Sequence, residues 1–390
     1  MSECLNMLPV LLYGEMHSIH ALWTFPLIVI LAFIIAWAAE SAQFFLSQGL
    51  ALALLAWFQT APEFMVEADL AWKQQVHLLL ANFTGSLRLL TGVGLPLVFF
   101  VSYLYNRKHK NGSTIIINET HSIEVVFFLL GTIYLFFIYL KGSLNMYDGL
   151  FMISVYAIYL MLLFRLPSSD KEEHIEYVPR KVISMKPFQR TVTIVMLFLA
   201  GGLGLILVVG PFIGSMMGIA ATLGVSNFIF IQWVAPFLSE FPEKLSAFYW
   251  AKKKTGAAMG LMNLTSSTIN QLTILPALLP FIYAVSIGHI SPIHFDTYQK
   301  MEMLLTFAQC ITVALLLIDM RFTLYEASLV FVMWLIQFIF PDLRGIVMGI
   351  FLGWALLESV MIVAGYKGMD ALNDFVLVYK KYIKIKKEEV

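Results

Sequence analysis

The sequence is poor in charge and in cysteine. Lys, Arg, Asp and Glu make up 13% of the 390 residues, whereas they make up roughly a quarter of a typical soluble domain. The two cysteines, Cys4 and Cys310, match no metal-binding or redox spacing, so two free thiols are expected. The formal net charge of zero provides no overall attraction to nucleic acid. A soluble globular protein and a nucleic-acid-binding protein are therefore both disfavoured.

Apolar residues, by contrast, are abundant. They make up 59% of the chain, and the mean hydropathy is +0.81. Because a helix needs ~20 apolar residues to cross a bilayer, the sequence predicts an all-α polytopic protein, embedded in lipid, with eleven transmembrane helices. The predicted helices cover about residues 21–43, 48–70, 76–104, 123–140, 147–164, 191–218, 225–245, 256–283, 302–319, 322–340 and 345–365.

Basic residues are distributed unequally between the predicted loops. Nineteen of the 25 Lys and Arg residues fall on one side of the membrane, four fall on the other, and Arg88 and Lys244 lie within helices. The positive-inside rule therefore predicts an N-terminus outside and a C-terminus in the cytoplasm, with the cell membrane as the expected location. The first twenty residues contain no Lys or Arg, so a cleavable signal peptide is not expected.

Two polar interruptions of apolar helices organise the chain. Pro62-Glu63 is followed by Asn82, and Pro242-Glu243 is followed by Asn263. The separations from glutamate to asparagine are 19 and 20 residues. An acid inside a membrane helix is costly and is normally kept for a function. The matched spacing indicates one site that is built twice.

A second pair of acids supports this duplication. Asp148 and Glu326 lie 85 and 83 residues beyond the two glutamates, and both are expected to stabilise helix starts. Each unit contains five helices, an odd number, so the second unit must cross the membrane in the opposite direction, as an inverted repeat. The predicted domains are a first transmembrane repeat at 1–164 (alpha-1 region about 48–104), a cytoplasmic linker at 165–190, a second repeat at 191–340 (alpha-2 region about 225–283), and an extra helix with a basic cytoplasmic tail at 341–390.

Polar residues of both units are expected to converge on one cation site. Proline interrupts helical hydrogen bonds and is expected to leave carbonyl oxygens free to face a cation. At about 100° per residue, Asn82 and Ser86 share one helix face, and Asn263, Ser267 and Gln271 form a similar stripe. Each stripe is expected to face its own Pro-Glu pair. Carboxylate, amide and hydroxyl oxygens form a hard site that suits Ca²⁺ or Na⁺.

These motifs resemble the membrane region of sodium/calcium exchangers in the cation/Ca²⁺ antiporter superfamily. Pro62-Glu63 and Asn82-x-x-Gly85-Ser86 match the family's first repeat well, and the second repeat is matched in part by Pro242-Glu243, Asn263 and Ser267. The resemblance implies alternating access, in which the first and sixth helices slide across a stationary core. The implied central ligands are Glu63 and Glu243, and the predicted oxygen donors around them are Thr60, Asn82, Ser86, Ser239, Glu240, Asn263, Ser267 and Gln271.

Four positions depart from the family pattern. Gln59, Leu90, Glu240 and Gln271 stand where the family has a threonine, an asparagine, a serine, and an asparagine or aspartate. Leu90 cannot donate an oxygen, whereas Glu240 adds an acid that can compensate for this loss or carry a proton. The counter-ion can therefore be Na⁺ or H⁺.

The sequence thus predicts a secondary antiporter that exchanges Ca²⁺, or a related divalent cation, for Na⁺ or H⁺ and needs no cofactor. A passive cation channel and an H⁺-coupled exchanger of another metal are the alternatives. An intramembrane protease is not expected, because Tyr147-Asp148 has no Gly-x-Gly-Asp partner. Arg88 is expected to form a structural ion pair, with Glu40 considered as its partner. Lys244 is left open between an ion pair, snorkelling and a part in transport, and the oligomeric state is open as well.

Overall fold

Helices occupy all eleven predicted ranges in the part of the chain that the computed structural model describes. Seven helical stretches are each long and apolar enough to cross a membrane, which confirms the polytopic, mainly helical architecture. Cys4, eight residues of the predicted helix at 48–70, part of the linker and the end of the basic tail lie outside the described residues. The described residues are 19–42, 53, 56, 57, 59–106, 114–166, 177–224, 226–252 and 256–384.

The elements follow the chain in two sets. The first half contains α1 (Ala21–Ala42), α2 (Ala61–Trp72), α3 (Val76–Leu89), α4 (Leu95–Asn106), β1 (Thr114–Ile116), α5 (Ser122–Lys141), β2 (Ser143–Leu144) and α6 (Met146–Phe164). The remainder contains α7 (Tyr177–Ile183), α8 (Pro187–Thr222), α9 (Asn227–Ile229), α10 (Ala235–Ser239), α11 (Phe241–Lys252), α12 (Ala257–Leu272), α13 (Ile274–Ile287), β3 (Ile293–His294), α14 (Thr297–Leu316), β4 (Arg321–Thr323), α15 (Leu324–Ile339), α16 (Arg344–Val363) and α17 (Asp370–Val378).

Corresponding helices of the two repeats are interrupted at the same place. In the first repeat, a π-helical turn at Leu90–Gly94 joins α3 to α4, and its centre lies ten residues after Asn82. In the second repeat, Thr273 separates α12 from α13 with φ −128° and ψ −83°, ten residues after Asn263. A further π-helical turn at Phe230–Val234 precedes α10. These shared irregularities extend the internal likeness beyond the sequence motifs.

Two short antiparallel strand pairs tie the repeats together. β1, before α5, pairs with β4, before α15. β2, before α6, pairs with β3, before α14. Each pair therefore joins the fourth helix of one repeat to the fifth helix of the other, as a two-fold relation between the repeats requires. The all-α prediction missed these strands, because two or three residues carry no periodic signal.

The fifth helix of each repeat begins with the same capping arrangement. Asn145 accepts a hydrogen bond from the backbone N–H of Asp148, whose carboxylate accepts one from the backbone of Asn145. Thr323 and Glu326 form the same reciprocal pair at α15. Both acids therefore satisfy helix-start N–H groups, and the structural role expected for them is confirmed.

The first helices of the two repeats pack against each other. α1 lies along α8, and Thr24 and Ser215 are hydrogen-bonded at 3.1 Å across the contact. A Cβ atom at Gly204 would lie 2.4 Å from the side chain of Leu31, so glycine permits this close approach. α8 begins at Pro187, inside the range predicted for the linker. The sliding of these two helices stays a prediction.

The third helices of the repeats are buried although they carry many polar side chains. Every residue of Leu79–Leu89 in α3 and of Gly260–Leu272 in α12 is buried. α3 packs on α14 and α12 packs on α5, so both lie inside the bundle. Buried polar groups need partners. Those partners define the site.

Candidate cation site

The two Pro-Glu pairs lie at helix starts inside the bundle. Pro62 and Glu63 are in the first turn of α2, where the missing proline N–H is tolerated and an acid meets the positive end of the helix. Glu243 has the same place in α11. The backbone N–H of Phe64 donates to the Thr60 carbonyl at 3.0 Å. The carbonyl that Pro62 would leave free is that of Phe58, four residues earlier. Phe58 lies outside the described residues, so the free carbonyl stays a prediction.

Gln271 joins acids from both repeats. Its Nε2 donates to Glu63 at 2.7 Å and to Glu240 at 3.0 Å. Ser86, from the first repeat, donates to the same Glu240 oxygen. The prediction that each polar stripe faces its own Pro-Glu interruption is therefore incomplete, because Gln271 and Ser86 also contact acids of the opposite repeat. The inverted arrangement brings the two stripes together at one place.

Asn82 joins a second pair of acids. Its Nδ2 donates to Glu63 at 3.3 Å and lies 3.5 Å from Glu67. Glu67 is 1% exposed, and its Oε2 has no hydrogen-bond partner among the described residues. Glu67 was not among the predicted ligands, although it lies four residues after Glu63 and therefore one turn along the same helix face. The site thus contains one more carboxyl than predicted.

Glu243 differs from the other acids of the site. It is fully buried, and neither of its carboxylate oxygens has a hydrogen-bond partner among the described residues. The next residue, Lys244, forms its ion pair with Glu240 instead. Buried carboxylate oxygens without partners are costly in an apolar interior. Glu243 is therefore a strong candidate for a cation ligand.

The predicted hydroxyl donors bond to their own helices. The Oγ1 of Thr60 donates to the Trp57 carbonyl at 3.1 Å, and Ser239 and Ser267 donate to carbonyls on their helices at 3.3 Å. A hydroxyl that donates its hydrogen keeps lone pairs that can accept or ligate. Asn263 donates to Gln59 at 3.3 Å, and its Oδ1 has no partner among the described residues.

In this site, side-chain amide groups lie between pairs of carboxyl groups. Among the described residues, no three His, Cys, Asp or Glu side chains form a ready metal-binding group. The acids are held in pairs by shared amide donors, Glu63 with Glu240 and Glu63 with Glu67. A cation that binds these carboxylates must therefore displace amide hydrogen bonds. Such a site can alternate between a cation-bound arrangement and an amide-bound one.

Arg88 belongs to a separate buried network. It forms an ion pair with Glu302 at 2.5 Å, and Arg344 pairs with the other oxygen of Glu302 at 2.7 Å. Its guanidinium also lies 4.9 Å from the ring centre of Trp233. The expected structural ion pair is therefore present, with Glu302 as the partner, and the side chain of Glu40 lies outside the described residues. Arg344, the first residue of α16, ties that additional helix to the core.

The Arg88 network also holds the segment that leads to Glu240. Gln232, in the π-helical turn before α10, donates to Glu302 at 2.8 Å and accepts from Arg344 at 3.1 Å. A Cβ atom at Gly85 would lie only 1.8 Å from the Gln232 carbonyl oxygen. Glycine is therefore required where α3 crosses this turn. The network positions the second-repeat acid against the first-repeat stripe.

Known exchangers share this fold. The sodium/calcium exchanger protein family model matches residues 18–165 and 193–341, one stretch in each repeat. One match is the crystal structure of the H⁺/Ca²⁺ exchanger CAX, with 30% sequence identity and a TM-score of 0.85. The matched region covers 95% of this chain and 92% of the CAX chain. The sodium-calcium exchanger NCX_Mj, soaked with 100 mM Na⁺ and 10 mM Sr²⁺, is 19% identical, covers 83% of this chain and 99% of its own, and has a TM-score of 0.59. No curated protein matches the sequence significantly.

Proposed function

Since the chain belongs to the sodium/calcium exchanger protein family, we propose that it is an antiporter that moves Ca²⁺ across a membrane in exchange for protons. Glu63 and Glu243 are the central ligands of this proposal, one from each repeat. Two carboxylates balance the charge of one divalent ion. When the ion leaves, the buried negative charge must be compensated before the empty carrier can change its orientation.

The shared amide of Gln271 carries this proposal. Its single Nε2 atom donates hydrogen bonds to two carboxyls of opposite repeats, Glu63 and Glu240. Carboxyls this close inside an apolar bundle repel each other unless a cation, a proton or a donor lies between them. The remaining predicted donors surround them and complete an oxygen-rich site: Thr60, Asn82, Ser86, Ser239, Asn263 and Ser267.

Protons are favoured over Na⁺ by the hydrogen-bonding of the side chains around the acids. A sodium ion needs several oxygen ligands, whereas a proton needs one carboxyl oxygen. Glu240 already accepts hydrogen bonds from Ser86, Gln271 and Lys244, and Leu90 offers no oxygen. At Glu240 both carboxylate oxygens are therefore already occupied by donors and do not add to the ligands of a coordinated monovalent metal. The 30% identity to an H⁺/Ca²⁺ exchanger over 95% of the chain supports the same counter-ion.

The proposed orientation follows from the distribution of basic residues. An N-terminus outside and a C-terminus in the cytoplasm of the cell membrane would let an inward proton gradient drive Ca²⁺ out of the cell. The repeats at 1–164 and 191–340 would alternate the access of the site, and α1 with α8 would be the moving pair.

Ca²⁺ flux in proteoliposomes tests this proposal. Purified full-length protein is reconstituted into proteoliposomes. Ca²⁺ uptake against its own gradient is then measured in separate samples, one with a pH gradient and one with a Na⁺ gradient. We expect uptake with the pH gradient alone. Uptake with the Na⁺ gradient alone would replace H⁺ by Na⁺ as the counter-ion. Flux that needs no counter-ion gradient and never runs uphill would show a channel and overturn antiport.

A further inference from the structure

A groove opens on the outer surface of the bundle between α5 and α6. Its walls include Leu130, Ile133 and Phe137 of α5 with Phe151 and Val155 of α6, and its volume is about 140 Å³. Both helices belong to stretches that are long and apolar enough to cross a membrane. Leu130 and Phe151 are 46% and 48% exposed, so the mouth of the groove faces the hydrocarbon core of the bilayer.

The floor of the groove is the break between α12 and α13. Leu272 and Thr273, which form this break, line the groove and are 3% and 1% exposed. The Thr273 hydroxyl donates to the Ile269 carbonyl at 2.5 Å. The hydroxyl of Tyr134, on the wall, donates to Asp148 at 2.9 Å. Both hydroxyls are therefore satisfied within the protein, and the groove offers an apolar surface to an occupant.

The corresponding break of the first repeat is covered by the protein itself. Gly92, at the centre of the π-helical turn, and Thr273 each lie ten residues after the asparagine of their repeat. A Cβ atom at Gly92 would lie 2.6 Å from the indole ring of Trp334. This ring, carried by α15, therefore packs directly on the turn and shields it from lipid.

The equivalent side chain of the second break packs elsewhere. Counted from the acids that cap α6 and α15, Trp334 corresponds to Tyr156, since each lies eight residues after its acid. The ring of Tyr156 packs against Tyr159, with the ring centres 5.9 Å apart. On α6 the groove is lined by smaller side chains such as Met152 and Val155. The space that the indole fills in one repeat is thus an open groove in the other.

We propose that a hydrocarbon chain of a membrane phospholipid occupies this groove and covers the α12–α13 break, as Trp334 covers the break of the first repeat. Apolar cavities of about 150 Å³ exclude water and accept apolar molecules. Within the bilayer, lipid chains are the flexible apolar groups that reach the mouth of the groove. Because Leu272 directly follows Gln271, the chain packs beside the segment that carries the shared amide of the cation site. The binding itself does not depend on the proposed antiport.

Photochemical cross-linking from the lipid tests this inference. The full-length protein is reconstituted into phosphatidylcholine nanodiscs in which a small fraction of the lipid carries a diazirine within one acyl chain. Cross-linked residues are then located by mass spectrometry. Leu272 and Thr273 are the diagnostic residues, because they are buried and only a chain inside the groove reaches them. Leu356, which is 66% exposed on α16, reports contact with bulk lipid.

A variant that fills the groove gives the comparison. Val155→Trp adds an indole ring to its wall, and Ile158→Trp is the matched control, because Ile158 is 46% exposed on the same helix. We expect cross-links to the floor and to Leu356 in the unmodified protein. Val155→Trp should lower the floor cross-links about tenfold, because an indole and a chain cannot share a space of this size. Cross-links to Leu356 should stay unchanged, and Ile158→Trp should keep both sets.

Two results would overturn the inference. The first is cross-linking of Leu356 without cross-linking of the floor, which would also be the outcome if a second copy of the chain covered the groove. The second is undiminished floor cross-linking in Val155→Trp, because lipid would then reach the floor by another route. If Val155→Trp does not fold, Ile133→Trp fills the groove from the opposite wall and must meet the same expectation. None of these readouts requires transport, so they are independent of the exchange assay.

Discussion

The Nε2 of Gln271 lies 2.7 Å from a carboxylate oxygen of Glu63, although the two residues belong to opposite repeats and are 208 positions apart. The same nitrogen lies 3.0 Å from Glu240. An uncharged donor therefore holds together acids that a cation would also hold together. If Ca²⁺ binds these carboxylates, as proposed, the amide and the ion compete for the same oxygens, and either one can stabilise the site.

Replacing Gln271 with Leu should destabilise the Ca²⁺-free protein most. We expect a loss of about 1.5 to 3 kcal/mol in the free energy of unfolding, the usual contribution of a hydrogen bond to a charged group. Bound Ca²⁺ should reduce this loss, because the ion neutralises the same carboxylates. Unfolding in mixed micelles, with chelator and with Ca²⁺, measures both values. Gln75→Leu, at an exposed position before α3, is the control. An equal loss in both conditions would contradict competition between the amide and the ion.

Glu67→Gln should weaken Ca²⁺ binding. A unit charge a few ångströms from a divalent ion contributes more than about 1.4 kcal/mol at an effective dielectric constant of about 20, so we expect at least a tenfold loss of affinity. Asp69→Asn removes an acid from the same helix, but Asp69 is partly exposed and paired with Lys73 at 2.7 Å. It should leave the affinity nearly unchanged. Calorimetric titration with Ca²⁺ compares the two variants, and equal effects would exclude Glu67 from the site.

Arg88→Met should unfold the protein more easily, since it leaves Glu302 with fewer partners inside the bundle. Removing one member of a buried ion pair typically costs about 3 to 5 kcal/mol. The control is Lys73→Met at the exposed pair with Asp69, where a loss below about 1 kcal/mol is expected. Denaturant unfolding followed by tryptophan fluorescence measures both changes. Similar losses in the two variants would show that the Arg88 network does not stabilise the core.

Gly85→Ala should disturb the site without changing any charge. The new methyl group would lie 1.8 Å from the Gln232 carbonyl oxygen, so α3 and the π-helical turn must separate. We expect Ca²⁺ transport to fall at least tenfold and the unfolding temperature to drop. Gly202→Ala is the matched control, because a Cβ atom at Gly202 meets nothing within 4 Å. Normal transport by Gly85→Ala would show that this crossing tolerates separation.

The duplicated architecture was predictable because its signals are local. Membrane helices can be recognised from the length of apolar stretches. The matched spacing from Glu63 to Asn82 and from Glu243 to Asn263 shows the repeat directly. The family resemblance and the fold inferred from these motifs are confirmed by the match of both repeats to the exchanger family model. The acids at Asp148 and Glu326 were also interpreted correctly, since a helix cap is a contact over three residues.

Long-range pairing was not predictable from one sequence. Arg88 and Glu302 are 214 residues apart, and no periodic pattern relates them. The same holds for Ser86 and Glu240, whose contact depends on how the repeats interlock. Glu67 could have been predicted from the sequence, because an acid four residues after Glu63 must share its helix face. The assignment of individual ligands stays a prediction, since the hydrogen bonds place these residues together without identifying the ion.

Ca²⁺ and protons are proposed to move in opposite directions through a site centred on Glu63 and Glu243. Simultaneous recording of Ca²⁺ uptake and proton release, with a trapped Ca²⁺ indicator and a trapped pH indicator in the same proteoliposomes, tests it most directly. We predict that an inward Ca²⁺ gradient alkalinises the lumen, and that Glu63→Gln and Glu243→Gln each abolish both signals. Ca²⁺ uptake without a pH change would exclude proton antiport, and uptake that persists in both variants would exclude Glu63 and Glu243 as the central ligands.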